Sequence, residues 1–238
     1  MILPVKAQNT MTVNTCIEIF AGTKSFTKVA RTMLLECEQF ITIDIDPRFE
    51  CTFTSDIMVF DYQHLIPPGK HFVTAIWMSP PCTQYSKAKT TGKPRDLEAA
   101  DSLVRRGIEI IRFYQMHSNP SLRWYIENPR TGLLKTRDIM KPLTNYYDVN
   151  YCRYAPWGMR KLTRIWTNVK ENFTPKLCLG SRQCPECILS PHGTGRYIHR
   201  CTPANKFYKP GVWSNNRLKS IDVARVPPKL IEALLLAT

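Results

Sequence analysis

The sequence predicts an α/β fold in which a mostly parallel sheet carries helices on both faces. Short β-branched apolar runs alternate along the 238 residues with segments of helical periodicity, and this alternation is typical of parallel sheets. Hydrophobic residues make up 43% of the chain, which is enough to bury a sizeable core. Ligands of such sheets bind at the carboxyl ends of the strands, so the residues just after each run are the candidates for function.

Five apolar runs are predicted to be the strands, at residues 16–20, 40–46, 71–78, 123–128 and 162–168. Helical periodicity marks three segments: one after the first run, one at residues 96–117 and one that begins at Pro227. The side chains expected on the buried helix faces are Val29, Ala30, Met33 and Leu34, then Leu97, Ala100, Leu103, Val104, Ile108 and Ile111, and finally Leu230, Ile231, Leu234 and Leu235.

Residues 170–220 differ from the rest, because they are rich in Lys, Arg, Cys, Pro, Gly and Asn and show no clear periodicity. We therefore expect a main domain at residues 1–169, a short irregular insertion at 170–220, and a C-terminal helix at 221–238 that returns to the main domain. So short an insertion buries little core of its own and needs another means of support.

Charge and cysteine usage narrow the class of partner and the compartment. Lys and Arg number 33 against 19 Asp and Glu, a net charge of +14. This surplus favours a polyanion, since neutralised phosphates release counterions; a generic basic surface is the alternative. We expect no membrane partner, because no apolar run approaches the roughly 20 residues that span a bilayer.

Nine cysteines without a secretory signal favour reduced thiols in an intracellular protein, cytoplasmic or nuclear and not secreted.

The segment SPPCTQYS (79–86) places a cysteine just past a buried strand. The two prolines remove backbone freedom before Cys82, which suits a nucleophile that must be held in place. The thiolate is the reactive form of cysteine, and Lys87 and Lys89 lie close in sequence. The alternative is an incidental cysteine in a turn.

The segment IENP (126–129) places Glu127 after the next strand, so that it would face the same crevice as Cys82. A cysteine and a carboxyl group at neighbouring strand ends suit an addition to a pyrimidine. The thiolate attacks C6 while the carboxyl group hydrogen-bonds N3 and the exocyclic amine, which makes C5 nucleophilic. A capping or salt-bridging role is the alternative for Glu127.

Three weaker features fit a nucleoside cofactor. Gly22 of FAG (20–22) follows the first strand, where the backbone can approach a ligand at a helix N-terminus. Asp44 ends the second strand and fits a ribose-binding carboxylate. Asp56 could accept a hydrogen bond from an adenine amino group.

Taken together and in order, these segments resemble the cytosine-C5 DNA methyltransferase family, in a short form similar to its virus- and phage-encoded members. The matching segments are IEIFAG, SPPCTQYS, IENPRTG, RKLTRIWTN and VPPKLIEAL. The resemblance implies a Rossmann-like domain that uses S-adenosylmethionine, with Cys82, Glu127 and Arg164 as catalytic residues. It also implies a target base flipped out of a DNA duplex. The cofactor-binding residues that it implies are Phe20, Ala21, Gly22, Asp44, Ile45, Asp56, Ile57 and Pro80.

The chain departs from the family pattern at two places that concern the site. Lys24 replaces the second glycine of the first motif, so we expect a differently shaped cofactor loop. Leu162 stands where the first of two arginines is expected, and Arg160 and Lys161 are the candidate substitutes. Two alternative functions stay open: methylation of tRNA, as in another branch of the family, and nucleic-acid binding without catalysis.

Cysteines crowd into residues 178–201 of the insertion. Zn²⁺ takes four thiolate or imidazole ligands in a tetrahedron. The six candidates are Cys178, Cys184, Cys187, His192, His199 and Cys201. We favour the four cysteines as a zinc site that supports the insertion, against free thiols as the alternative.

Overall fold

A seven-stranded mixed sheet organises the protein, as a computed structural model shows. Backbone is described for residues 12–87, 89–90, 92–157, 159–170, 172–180, 182–190, 195–199, 201–202, 206–209, 212–213 and 224–237, and side chains for the same ranges except those between 201 and 213. The strands are β1 (Val13–Ile19), β2 (Gln39–Asp44), β3 (Phe53–Thr54), β4 (His71–Met78), β5 (Arg123–Pro129), β6 (Tyr146–Asn150) and β7 (Leu162–Thr167). The helices are α1 (Ser25–Met33), α2 (Tyr62–Leu65), α3 (Leu97–His117) and α4 (Pro228–Leu235).

The strand order is β3-β2-β1-β4-β5-β7-β6. Neighbours from β3 to β5 run parallel, and β7 runs antiparallel to both β5 and β6. This Rossmann-like α/β arrangement confirms the predicted fold class. Strand order reverses beside β1, between β2 and β4, and the crevice at such a switch point is where ligands of open α/β sheets bind.

Two strands of the seven-stranded sheet were not predicted from the sequence. β3 has only two residues, too few for any periodic signal. β6 reads YYDVN and lies at the edge of the sheet, where one-sided burial permits polar side chains.

Helices cover both faces of the sheet, because successive strand residues point to opposite sides. On the α3 face, Ile76, Met78 and Ile126 are fully buried with Val104. On the other face, Trp77 lies between Phe26 of α1 and Tyr125 of β5, at ring-centroid distances of 5.7 and 5.5 Å. The second layer is completed by Leu230, Ile231 and Leu234 of α4, all fully buried.

Short strands also lie within the predicted insertion. β8 (Cys187–Leu189) and β9 (Tyr197–His199) form an antiparallel pair. β10 (Cys201–Thr202), β11 (Lys206–Lys209) and β12 (Val212–Trp213) form a small antiparallel sheet. The division of the chain at residues 169/170 and 220/221 stays a prediction.

The structure pairs Cys16 of β1 with Cys37, just before β2, in a disulfide. The prediction of reduced thiols, made from the sequence for all nine cysteines, is wrong for this pair. The two parallel strands bring the Cα atoms to 6.5 Å, within the usual range for a disulfide. Among the cysteines with described side chains, the free ones are Cys51, Cys82, Cys152, Cys178, Cys184 and Cys187.

Among the described helices, none combines the length and the apolar character that crossing a bilayer requires.

Candidate active site

A cavity of about 910 Å³ opens at the carboxyl ends of β1, β4 and β5. Its wall consists of the loops after β1 and β4, the end of β5, the start of β7 and the residues before α4. The lining includes Glu18, Phe20, Ala21, Gly22, Pro80, Cys82, Glu127, Asn128, Arg160 and Lys161. The sequence placed functional residues at this edge of the sheet, and the cavity lies there.

The loop after β1 turns tightly through left-handed backbone. Phe20, Gly22 and Lys24 have φ values of 55°, 44° and 57°. Lys24 therefore has left-handed backbone. Glycine adopts this conformation without cost, whereas other residues adopt it at a cost of about 1 kcal/mol or more. The expectation of a differently shaped cofactor loop stays a prediction.

Glu18 is a member of this site that the sequence analysis missed. Its carboxylate is buried and accepts hydrogen bonds from the Phe26 and Thr27 N–H groups, at 3.1 and 2.8 Å. These are free N–H groups at the start of α1, where a carboxylate is favoured. Burial raises the pKa of Glu18 to about 7, against those hydrogen bonds. The signal was a charged residue inside the apolar run CIEIF.

The predicted cofactor residues divide into two groups. Phe20, Ala21, Gly22 and Pro80 line the cavity, whereas Asp44, Ile45, Asp56 and Ile57 do not. Asp44 is linked to the cavity wall, because its Oδ2 accepts a hydrogen bond of 2.8 Å from the Gly22 N–H. Ile45 beside it is an apolar side chain with 66% of its surface exposed. Asp56 accepts from the Met58 N–H at 3.0 Å within its own turn, and Ile57 is buried in the core.

Cys82 is accessible from the cavity, at the end of a loop that β5 holds in place. The Asn128 side-chain amide donates a hydrogen bond of 2.9 Å to the Pro80 carbonyl, and the Cys82 carbonyl accepts one of 3.1 Å from the Tyr85 N–H. Burial raises the pKa of the Cys82 thiol; Lys161 lowers this pKa and Glu127 raises it further. Lys161 therefore favours the thiolate form of Cys82, against burial and the Glu127 charge.

Glu127 is buried in a group of three polar side chains. Its Oε1 accepts a hydrogen bond of 2.9 Å from the Tyr151 hydroxyl and lies 3.4 Å from the Lys161 ammonium. Lys161 also lies over the Tyr151 ring, 4.7 Å from its centroid. Burial, followed by the Glu127 charge, raises the pKa of Tyr151 well above its usual range, so Tyr151 keeps its proton and acts as a donor.

The structure does not bring Arg164 to this group. In the β5–β7 pair, Ile165 is opposite Glu127 and Arg164 is opposite Asn128, so Arg164 points to the other face of the sheet. There it binds Asp148 through two hydrogen bonds of 2.7 and 2.9 Å and lies 3.5 Å from the Tyr146 ring centroid. The cation beside Glu127 is Lys161, one of the two substitutes that the sequence analysis named.

A separate group of thiols and an imidazole lies near the start of the predicted insertion. Cys152, Cys178, Cys184 and His199 each offer one donor atom, and these atoms lie within 4.8 Å of one another. Two of the predicted ligands, Cys178 and Cys184, are in this group. Cys187 is adjacent, with its sulfur 3.5 Å from each His199 nitrogen. The side chain of Cys201 and all of His192 lie outside the described residues.

No family model matches the chain. A curated relative, the probable DNA (cytosine-5)-methyltransferase of Frog virus 3 (isolate Goorha), is 32% identical over 231 aligned residues, and the match covers 92% of this chain and 97% of the relative. Among solved structures, the methyltransferase EhMeth of Entamoeba histolytica gives a TM-score of 0.48 at 13% identity, over 94% of this chain and 97% of that one. The DNMT2 mutant of Spodoptera frugiperda gives 0.44 at 16% identity, over 68% and 53%. Only the sequence relative bears on the family.

Proposed function

Because this chain belongs to the DNA (cytosine-5)-methyltransferase family, we propose that it transfers a methyl group from S-adenosylmethionine to C5 of cytosine in double-stranded DNA. The observation that carries the proposal is the shared cavity: Cys82, Glu127 and the Phe20–Gly22 turn all line it. A base bound in this cavity would therefore lie near a nucleophile, a carboxyl group and the turn that is expected to bind the cofactor.

The residues around the turn fit S-adenosylmethionine. The cavity, at about 910 Å³, is within the range of sites that enclose a cofactor-sized ligand. Asp44 stands at the Gly22 turn, where its carboxylate would bind ribose hydroxyls, and exposed Ile45 would pack on the adenine. When bound, the cofactor supplies an electrophilic methyl group. Phe20, Ala21 and Pro80 would line its binding site, with Asp56 and Ile57 toward the adenine edge.

In the proposed reaction, the Cys82 thiolate forms a bond to C6 of a flipped-out cytosine. The Glu127 carboxyl group hydrogen-bonds N3 and accepts from the exocyclic amine, so the electron pair displaced from the C5–C6 bond is stabilised on the ring. C5 then accepts the methyl group. Loss of the C5 proton to a base expels the Cys82 thiolate and restores the aromatic ring.

Tyr151 and Lys161 prepare the two groups that react. The Tyr151 hydroxyl fixes one carboxyl oxygen of Glu127, which orients the carboxyl group toward the base. Lys161 balances negative charge in a buried site, where charges interact strongly. Arg164 has no direct role in this proposal, because its guanidinium is engaged with Asp148. The group of Cys152, Cys178, Cys184 and His199 has no step in the reaction, since none of the four residues lines the cavity.

The name of the viral relative favours DNA over tRNA, and a net charge of +14 suits either. The purified protein should be incubated with radiolabelled S-adenosylmethionine and equal amounts of duplex DNA or tRNA. We expect label in duplex DNA, at C5 of cytosine on nucleoside analysis. Label in tRNA alone would show that the chain acts as the tRNA-methylating branch of the family does. Label in neither substrate would favour nucleic-acid binding without catalysis.

Binding to non-specific duplex should weaken steeply with salt. Each neutralised phosphate contributes about −0.9 to the slope of log affinity against log salt concentration, and the chain carries a surplus of 14 positive charges. The slope can be measured by fluorescence anisotropy of a labelled duplex at salt concentrations from about 50 to about 200 mM. A flat slope would contradict a polyanionic substrate.

Lys161→Met should make Cys82 less reactive at neutral pH. Without the ammonium group, the pKa of Cys82 rises further, so the thiolate fraction at any pH below that pKa decreases. The rate at which iodoacetamide alkylates Cys82 can be followed by peptide mass spectrometry. We expect this rate to decrease several-fold at about pH 7.5 and its pH profile to shift to higher pH. Lys93→Met removes an exposed lysine of the following loop and should change neither. An unchanged pH profile of alkylation in Lys161→Met would show that Lys161 does not affect the ionisation of Cys82.

A further inference from the structure

We infer that Zn²⁺ is bound by Cys152, Cys178, Cys184 and His199, and that this metal centre ties the segment after β7 to the end of β6. The inference replaces two of the ligands expected from the sequence, Cys187 and Cys201, by Cys152 and His199. Its basis is the grouping of one donor atom from each of the four residues within 4.8 Å.

The distances from His199 to Cys178 and Cys184 match a tetrahedral site. The Cys187 sulfur lies at a similar 3.5 Å from His199 Nε2, and it is set aside because it is not part of the group of four donors. The Nε2 atom of His199 lies 3.3 Å from the Cys178 sulfur and 3.4 Å from the Cys184 sulfur. Ligands at about 2.3 Å for sulfur and 2.0 Å for nitrogen stand roughly 3.5 Å apart around tetrahedral zinc. Each of the three cysteines is only 4% exposed, so the donors face one another and not the solvent.

The surroundings of Cys178 are those of a bound thiolate. The Gly180 N–H donates to its sulfur at 3.4 Å, and its own N–H donates to Asn150 Oδ1 at 2.9 Å. The Arg160 guanidinium donates to the Cys178 carbonyl at 2.9 Å. Three thiolates and a neutral imidazole around Zn²⁺ leave one negative charge, and Arg160 stands close enough to balance it. Such contacts orient metal ligands and stabilise their charge.

Four protein ligands leave no open position, which is the mark of a structural zinc site and not of a catalytic one. The nearest regular structure after β7 is the β8–β9 pair, with three residues in each strand. So small a unit cannot supply much apolar core. A metal therefore contributes the stability that packing does not.

Cys152 gives the centre a connection to the active site. It belongs to the turn Tyr151–Arg153, and its neighbour Tyr151 donates to Glu127. Arg160 in turn lines the catalytic cavity. The metal would thus hold one wall of the cavity and the start of the insertion in a fixed relation.

Elemental analysis of full-length protein, purified without chelators, tests the site. We expect about one zinc per chain in the wild type and less than about a tenth of that in Cys152→Ser, since loss of one buried ligand opens a structural site. Cys51→Ser, a free thiol near β3, is the matched control and should keep its zinc, as should Cys187→Ser and Cys201→Ser. Zinc-free wild type, or retention by Cys152→Ser with loss in Cys187→Ser, would overturn the assignment.

Alkylation of the wild-type protein avoids any folding defect of the variants. With zinc bound, N-ethylmaleimide should label Cys187 and Cys201 but not Cys152, Cys178 or Cys184. After removal of zinc with a strong chelator, all five should be labelled, as peptide mass spectrometry will show. Labelling of Cys152 that is the same before and after chelation would exclude it as a ligand.

Discussion

Replacing Cys82 with serine is expected to reduce methyl transfer by about three orders of magnitude or more. A serine hydroxyl is far less ionised than a thiol at neutral pH and is a poorer nucleophile toward C6. The two side chains differ by one atom, and the loop that carries residue 82 is held by the Asn128–Pro80 hydrogen bond. The loss should therefore come from chemistry and not from unfolding. Incorporation of labelled methyl groups into duplex DNA is the measurement.

Two controls separate a chemical loss from a structural one. Cys82→Ser should bind S-adenosylmethionine within about a factor of three of wild type in calorimetry, since the serine fits the same space. Cys51→Ser removes a free thiol that does not line the cavity and should retain full turnover. If Cys82→Ser kept a tenth of the wild-type rate, the covalent role of Cys82 would be wrong.

Replacing Glu127 with glutamine should slow methyl transfer by about a hundredfold or more. The amide cannot carry the proton that N3 needs, although it fills the same volume beneath the Tyr151 hydroxyl. The loss of charge also leaves Lys161, only 8% exposed, without its carboxylate, which is a costly state for a buried ammonium. Single-turnover rates on a cytosine-containing duplex measure the chemical step.

The matched control is Glu109→Gln, which removes a half-exposed carboxylate paired with Arg106 on α3, away from the cavity. It should leave the rate unchanged. Thermal unfolding of both variants would show whether the buried Lys161 destabilises Glu127→Gln. A rate for Glu127→Gln equal to that of the wild type would return Glu127 to a structural role.

The placement of Cys82 and Glu127 could be predicted from sequence because each follows a buried apolar run. The carboxyl ends of parallel strands share one edge of a sheet, so strand order did not need to be known. Arg164 shows the limit of this reasoning. Side chains alternate along a strand, and a shift of one residue sends a side chain to the opposite face. The β5–β7 register places Arg164 opposite Asn128 and not Glu127, and the β6–β7 register places it opposite Asp148. Lys161, just before β7, is the cation that reaches Glu127.

The metal ligands show a second limit. Spacing within the sequence favoured the CPEC pair, since nearby cysteines are the usual signature of zinc. Cys152 is far from that pair in sequence and stands alone in an aromatic stretch, so no local pattern identifies it. Its position beside Cys178 follows from the contact between the end of β6 and the segment after β7, where the Asn150 N–H donates to the Lys176 carbonyl and the Cys178 N–H donates to Asn150 Oδ1. That contact is a long-range property. The same holds for Tyr151, whose partner Glu127 is on another strand.

The packing of α4 against α1 has a consequence for synthesis of the protein. Residues 228–235 complete the apolar layer over Phe26 and Trp77, and Val226 donates its N–H to the Ser25 hydroxyl. A ribosome adding 5–20 residues per second needs roughly 10–40 s to go from α1 to α4. Until α4 has been synthesised, the apolar layer that contains Phe26 and Trp77 is not covered by that helix. The nascent chain should therefore expose this apolar surface until α4 emerges, and the sheet should gain full resistance to proteases only then.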